Sequence, residues 1–165
     1  MTDESEFAAP DLESAPASSN PPLMESSVAA GFPSPAEQYA EMPLDLNELL
    51  VHNPPATYFV RASGDSMTGA GIRSGDILVV DRSLDASDGS IVIANVDGEF
   101  TVKYFRKDAD GSVRLEPANR RYRAIKFSEG MELRLFGVVT ALIHQFPPPD
   151  ELEPAPPVPP EKTGS

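Results

Sequence analysis

From Thr57 to Phe146 the chain is written in short β-rich runs, each closed by a turn signal, and this punctuation limits the possible folds more than any other feature. The runs are Thr57 to Ala62, Ile77 to Asp81, Ser90 to Val96, Glu99 to Arg106, Ser112 to Glu116, and Leu133 to Phe146 in one or two pieces. Branched and aromatic side chains dominate them, and these suit a pleated surface. Asp97-Gly98 separates two runs by two residues. It predicts a type I′ hairpin, because both central positions of that turn need positive φ. Asp110-Gly111 repeats the device with a longer loop. Upstream, Leu44 to Val51 has apolar residues at helical spacing and Asp45 placed to cap, which predicts one short helix. The pattern describes a small, mostly β, largely antiparallel domain with a short N-terminal helix and no internal repeat.

Composition places the boundaries of that domain. A chain of 165 residues has room for one domain of ordinary size. Residues 1–30 contain six acidic side chains, four prolines and no Lys or Arg, and predict a disordered acidic arm. Residues 147–165 hold eight of the 18 prolines and predict an extended, disordered tail. The folded domain is therefore expected over residues 31–146.

The net charge of −13 divides as −6, −4 and −3 among arm, domain and tail, so no segment is strongly basic. Tight nucleic-acid binding needs a cationic face that neutralises several phosphates. The one basic cluster, Arg120, Arg121 and Arg123, reads as a solvated loop beside a strand, and no direct, specific DNA binding is expected. Absence of Cys excludes disulfides, thiolate nucleophiles and Cys-based zinc sites, and no metal or cofactor is implied. The N-terminus lacks a positive n-region and an apolar h-region, and no apolar run approaches about 18 residues. A cytoplasmic location without membrane contact is expected.

Few residues are equipped for chemistry. His52, beside the short helix, reads as a solvated helix-end imidazole, and His144 lies near the end of the last run. A Ser-His-Asp triad would have to recruit one of them with no accompanying motif. Ser66, in Ser63-Gly64-Asp65-Ser66-Met67, and Lys103, in Thr101-Val102-Lys103-Tyr104, form the sharper pair, 37 positions apart. A turn serine is common by itself. Strand alternation puts Lys103 on the face of Thr101 and Phe105, with apolar neighbours, where it could also be an edge lysine reaching out to water. A free lysine, with pKa about 10.4, is neutral in about one molecule in 2,500 at pH 7. Burial can lower that pKa by roughly 3 to 5 units and make the amine a base. The tight Gly64-Asp65-Ser66 turn can also aim the Asp65 and Ser66 amides at a developing oxyanion.

Several segments together resemble the LexA/UmuD family of self-cleaving Ser-Lys peptidases, peptidase family S24. They are Ser63-Gly64-Asp65-Ser66-Met67, Gly71-Ile72, Gly75-Asp76-Ile77-Leu78-Val79-Val80-Asp81, Gly89-Ser90-Ile91-Val92-Ile93-Ala94, Asp97-Gly98-Glu99-Phe100-Thr101-Val102-Lys103 and Phe136-Gly137-Val138-Val139. Their order and spacing carry the match over roughly residues 31–145, whereas each segment alone is weak. The resemblance implies Ser66 as nucleophile and Lys103 as general base. It further implies self-cleavage at a small-residue bond upstream of the domain, for which Ala30-Gly31 stands in place, although composition alone reads these as two small linker residues. A flexible linker from Ala30 to Ser66 would span roughly 33 Å r.m.s., against a radius of gyration of about 13 Å for such a domain. The arm could reach its own site or that of a dimer partner.

LexA-type repressors carry a helix-turn-helix domain ahead of the peptidase, and residues 1–30 are too short, too acidic and too rich in proline to be one. The UmuD-like branch remains. There the resemblance implies a homodimer, cleavage stimulated by the RecA nucleoprotein filament during the SOS response, and a product that serves a UmuC-type error-prone translesion DNA polymerase as accessory subunit. The alternatives are a catalytically inert dimerising polymerase subunit and a LexA-like repressor fragment. A membrane signal peptidase shares the dyad but needs an N-terminal membrane helix, which residues 1–30 do not supply. The acidic arm and the Pro-rich tail have no counterpart in the family pattern.

Overall fold

The structure is a computed structural model that describes residues 20–24, 30–31, 41–127, 130–148 and 151, in two units, Met1–His52 and Asn53–Ser165. In the first unit, β1 (Pro22–Met24) pairs antiparallel with β2 (Glu41–Pro43), Leu23 facing Met42. Helix α1 (Leu46–Leu50) follows. Asp45 caps it as its position suggested: extended at φ −95°, it accepts from the amides of Asn47 at 2.8 Å and Glu48 at 3.3 Å. Two of the four amides that a helix start leaves unpartnered are thereby satisfied. Strand β1 lies inside the stretch expected to be an unfolded arm. A two-strand ladder draws on backbone groups alone, and proline at a strand end costs it little. The remainder of the expected arm, residues 1–19 and 25–29, and residues 149–150 and 152–165 of the expected tail lie outside the described residues.

The second unit contains a seven-stranded, wholly antiparallel sheet. Its strands are β3 (Thr57–Arg61), β4 (Ile77–Asp81), β5 (Ile91–Val96), β6 (Glu99–Lys107), β7 (Val113–Glu116), β8 (Ile125–Lys126) and β9 (Leu133–Ile143), in the order β3-β4-β9-β5-β6-β7-β8. Mostly β architecture with one short helix is what the sequence predicted. The hairpin at Asp97-Gly98 joins β5 to β6, with φ of 50° and 92°, both positive as a type I′ turn requires. Asp110-Gly111 turns β6 into β7, Gly111 at φ 85° and its amide bonded to Asp108 O at 2.9 Å.

Both faces of β5 are covered, which explains its nearly continuous apolar sequence. Ile93 belongs to a core cluster with Ala62, Met67, Ile72, Leu78 and Val80. Val92 and Ala94 belong to a second with Phe105 and Leu115. The last strand is one piece of 11 residues. It spans the join between β4 and β5 by slipping register twice, once against Val79/Val80 and once against Ile93/Ala94, leaving Thr140 and Phe136 as the extra residues. Gly137, directly after the second slip, is required by close approach: a Cβ there would stand 2.7 Å from Val80 Cγ1 and 3.0 Å from Asp81 O.

Candidate active site

Ser66 sits in a turn built from both ends. Gly64 takes φ 86°, a left-handed conformation that a side chain resists, and lets the chain reverse after β3. Its amide donates to Ser74 Oγ at 3.2 Å. On the far side, Met67 is 2 % exposed and drives its side chain into the core beside Leu78 and Val80. The 3₁₀ turn Thr68–Ala70 follows at once. Anchoring the residue next to it leaves the Ser66 hydroxyl half-buried rather than free.

Lys103 comes from the middle of β6, opposite Val92 of β5. It is 7 % exposed, one of three polar side chains buried among the described residues. Nζ contacts Ser66 Oγ at 2.9 Å, Thr101 Oγ1 at 2.7 Å and Val102 O at 3.0 Å. As an ammonium it donates to all three. As a neutral amine it keeps two N–H groups for Thr101 and Val102 and turns its lone pair toward the Ser66 O–H. Burial pushes the Lys103 pKa below the ordinary lysine value of 10.5, and among the described residues no ion pair opposes that shift. The arrangement can therefore take a proton from the serine hydroxyl.

A third segment, distant in sequence, closes the site. In the loop after β7, Ala118 N donates to Ser66 O at 2.9 Å and Ala118 O accepts from Gly69 N at 2.7 Å. A side chain on Gly69 would overlap that carbonyl oxygen, so glycine is needed there. Asn119 Nδ2 donates to Asp65 O at 2.9 Å, and the Tyr122 hydroxyl donates to the Asp65 carboxylate, a bond that raises the phenol's pKa. Beside this junction lies a cleft of about 630 Å³ lined by Gly69, Tyr104, Glu116, Ala118, Asn119 and Tyr122. Sequence reasoning did not pick out Asn119 or Tyr122. They belong to a loop with no local signature beyond its polarity.

The other sequence candidates fall elsewhere. His144 pairs with the buried carboxylate of Asp76, Nδ1 to Oδ1 at 2.5 Å. His52 is exposed at the end of the first unit. Arg120, Arg121 and Arg123 are exposed in the loop between β7 and β8, in keeping with the solvated reading. Neither the Asp65 nor the Ser66 amide has an acceptor among the described residues. Ala30 and Gly31 are exposed in a bend of the first unit, and nothing lies within 4 Å of a Cβ built on Gly31.

Residues 22–140 match the model of the Peptidase S24-like family. This chain belongs to that family. Three relatives extend the match. Protein SamA of Salmonella typhimurium is 48 % identical over 139 residues, 84 % of this chain and 94 % of its own length. Protein ImpA of Escherichia coli is 45 % identical over 75 % of this chain and 83 % of its own length. Protein MucA of Escherichia coli is 45 % identical over 73 % and 82 %. The S24-like match covers both units of the chain and takes in Ala30, Gly31, Ser66 and Lys103. Among the described residues, no helix of this S24-like protein is long and apolar enough to cross a membrane.

Proposed function

We propose that the chain is a cytoplasmic serine endopeptidase that cuts its own Ala30-Gly31 bond with a Ser66–Lys103 dyad, as a mutagenesis protein of the SOS response. The observation that carries this reading is the 2.9 Å contact between a buried Lys103 amine and the Ser66 hydroxyl. Membership of a peptidase family supports it independently.

The proposed reaction uses Lys103 for every proton transfer. Neutral Lys103 takes the Ser66 proton as Oγ bonds to the Ala30 carbonyl carbon, and negative charge moves onto the carbonyl oxygen. The free amides of Asp65 and Ser66 are the donors proposed for that oxyanion. Lys103, now an ammonium, returns its proton to the Gly31 nitrogen as the C–N bond breaks, leaving an ester between Ala30 and Ser66. Water, deprotonated by Lys103, then attacks the ester, and Ser66 recovers its proton. No metal or cofactor is required.

The remaining proposals concern partners. A homodimer is supported by an exposed aromatic surface: Tyr58 and Phe100 are 44 % and 66 % exposed and both pack edge-on against Phe136, while the Arg82 guanidinium lies 4.6 Å from the Phe136 ring. Such patches on soluble domains mark contact surfaces. Stimulation by a RecA filament on single-stranded DNA, and service of the shortened product to a UmuC-type translesion polymerase, rest on the family resemblance.

Incubation of the purified chain at alkaline pH, followed by intact mass measurement, tests the reading. A fragment beginning at Gly31 is expected, and its formation should accelerate with activated RecA filament. A chain that stays whole under both conditions would leave the inert polymerase subunit as the better description. Binding to duplex DNA in a gel shift would instead favour the repressor fragment.

A further inference from the structure

The peptide groups on both sides of the proposed nucleophile are held by one loop, the segment between β7 and β8. Asp65 O accepts from Asn119 Nδ2 at 2.9 Å, and Ser66 O accepts from Ala118 N at 2.9 Å. A trans peptide is planar, and its C=O and N–H point in opposite directions. Whatever fixes the Asp65 carbonyl therefore fixes the direction of the Ser66 N–H. That N–H has no acceptor among the described residues, so it is available to a ligand.

Within its own turn the Asp65 carbonyl is held only loosely, by Thr68 N at 3.3 Å and Thr68 Oγ1 at 3.2 Å. Asn119 makes the shorter bond. Its amide is oriented in turn, since Oδ1 accepts from Arg121 N at 3.0 Å and leaves Nδ2 facing Asp65. Tyr122 bonds the Asp65 carboxylate, which turns about its own side-chain torsions and has far less hold on the peptide plane.

We propose that Asn119 is a positioning residue for self-cleavage, donating to the Asp65 carbonyl so that the Ser66 N–H faces the oxyanion that forms on the scissile carbonyl. The inference rests on the dyad reading above and adds to it a requirement on the loop after β7.

The test compares self-cleavage of the full chain across alkaline pH for wild type, Asn119→Ala, Asn119→Asp and Tyr122→Phe, with urea midpoints recorded for each. Loss of a whole oxyanion donor costs about 10²- to 10³-fold, so a misdirected one should cost about 10- to 100-fold. Asn119→Ala is expected to slow cleavage by that factor at every pH, with the midpoint of the pH profile unmoved because Lys103 keeps its surroundings. Asn119→Asp preserves shape and the bond from Arg121 but cannot donate as a carboxylate. It should be at least as slow, and it serves in place of the alanine variant if that one unfolds. Tyr122→Phe, which keeps the ring and removes only the bond to the Asp65 carboxylate, should lose clearly less than either Asn119 variant. Wild-type rates in both Asn119 variants would overturn the proposal. So would a Tyr122→Phe deficit as large as theirs, which would assign the effect to loop closure, or a deficit that disappears at higher pH, which would assign it to Lys103. If the wild-type chain itself stays whole, the dyad reading falls and this proposal with it.

Discussion

Lys103 Nζ stands 2.9 Å from Ser66 Oγ across 37 residues of sequence, and neither partner reaches that contact from a loose segment. Lys103 projects from β6, which is paired on both sides, with β5 and with β7. Ser66 is tethered by the core side chain of Met67 and by the Ala118 amide. A contact made between two anchored groups is organised in advance, which is what the proposed Ser66–Lys103 dyad requires.

Ser66→Ala and Lys103→Ala are each expected to reduce self-cleavage by at least about 10³-fold, the scale seen when a nucleophile or its base is removed. Urea unfolding should remain cooperative in both. Intact mass spectra after alkaline incubation are the measurement. Ordinary amounts of the Gly31 fragment from either variant would contradict the dyad.

Cleavage should speed up with pH. Only the neutral amine accepts the Ser66 proton, so the rate should climb about tenfold per pH unit and level off at the lowered pKa of Lys103. Stability should follow the same group. Between its folded pKa and 10.5 the unfolded chain binds the proton that the folded chain lacks, so wild-type stability rises with pH through that window. Lys103→Met has no such proton. Its stability relative to wild type should therefore be greatest near neutral pH and shrink toward pH 10.5 in paired urea titrations.

Gly137→Ala should destabilise the sheet by about 1–3 kcal/mol, the range for overpacking a filled core. The added methyl meets Val80 and the backbone of Asp81, neither of which can swing aside. The urea midpoint should fall with little change in slope. A midpoint equal to wild type would mean that β4 and β9 separate there more easily than their register suggests.

Asp76 is expected to govern acid stability. Its carboxylate is 2 % exposed, accepts from the Arg73 amide at 2.8 Å and pairs with His144. The amide bond, reinforced by His144, holds its pKa below 3.8 despite burial. A depressed carboxylate adds stability that is fully present above 3.8 and is lost as pH falls through the folded value. Asp76→Asn should cost about 1.5–3 kcal/mol at neutral pH and flatten the stability profile below pH 4. Urea midpoints between pH 2 and 7 would show both effects, and a variant with the wild-type acid limb would assign that limb to other groups.

Much of this was present in local sequence. Strand β4 occupies Ile77–Asp81 as its apolar run indicated, and β5, β6 and β7 begin and end within one residue of their runs. Asp97-Gly98 and Asp110-Gly111 made their hairpins because positive φ is a property of one or two residues and their nearest bonds. The Ser66–Lys103 pair stood out through order and spacing against a known family. The two-residue strand β8 and the β1–β2 pair gave no such sign, being too short for periodicity to register.

Sequence alone settled where the chain bends, which stretches alternate, and which serine and lysine were worth watching, since each of these depends on a residue and its close neighbours. Only tertiary structure decided that Lys103 is buried, that Asn119 reaches Asp65 over 54 positions and that His144 is occupied by Asp76 over 68. Those outcomes depend on which loops and strand ends are brought together when the sheet closes its register. Contacts between distant segments leave no period in the chain that makes them.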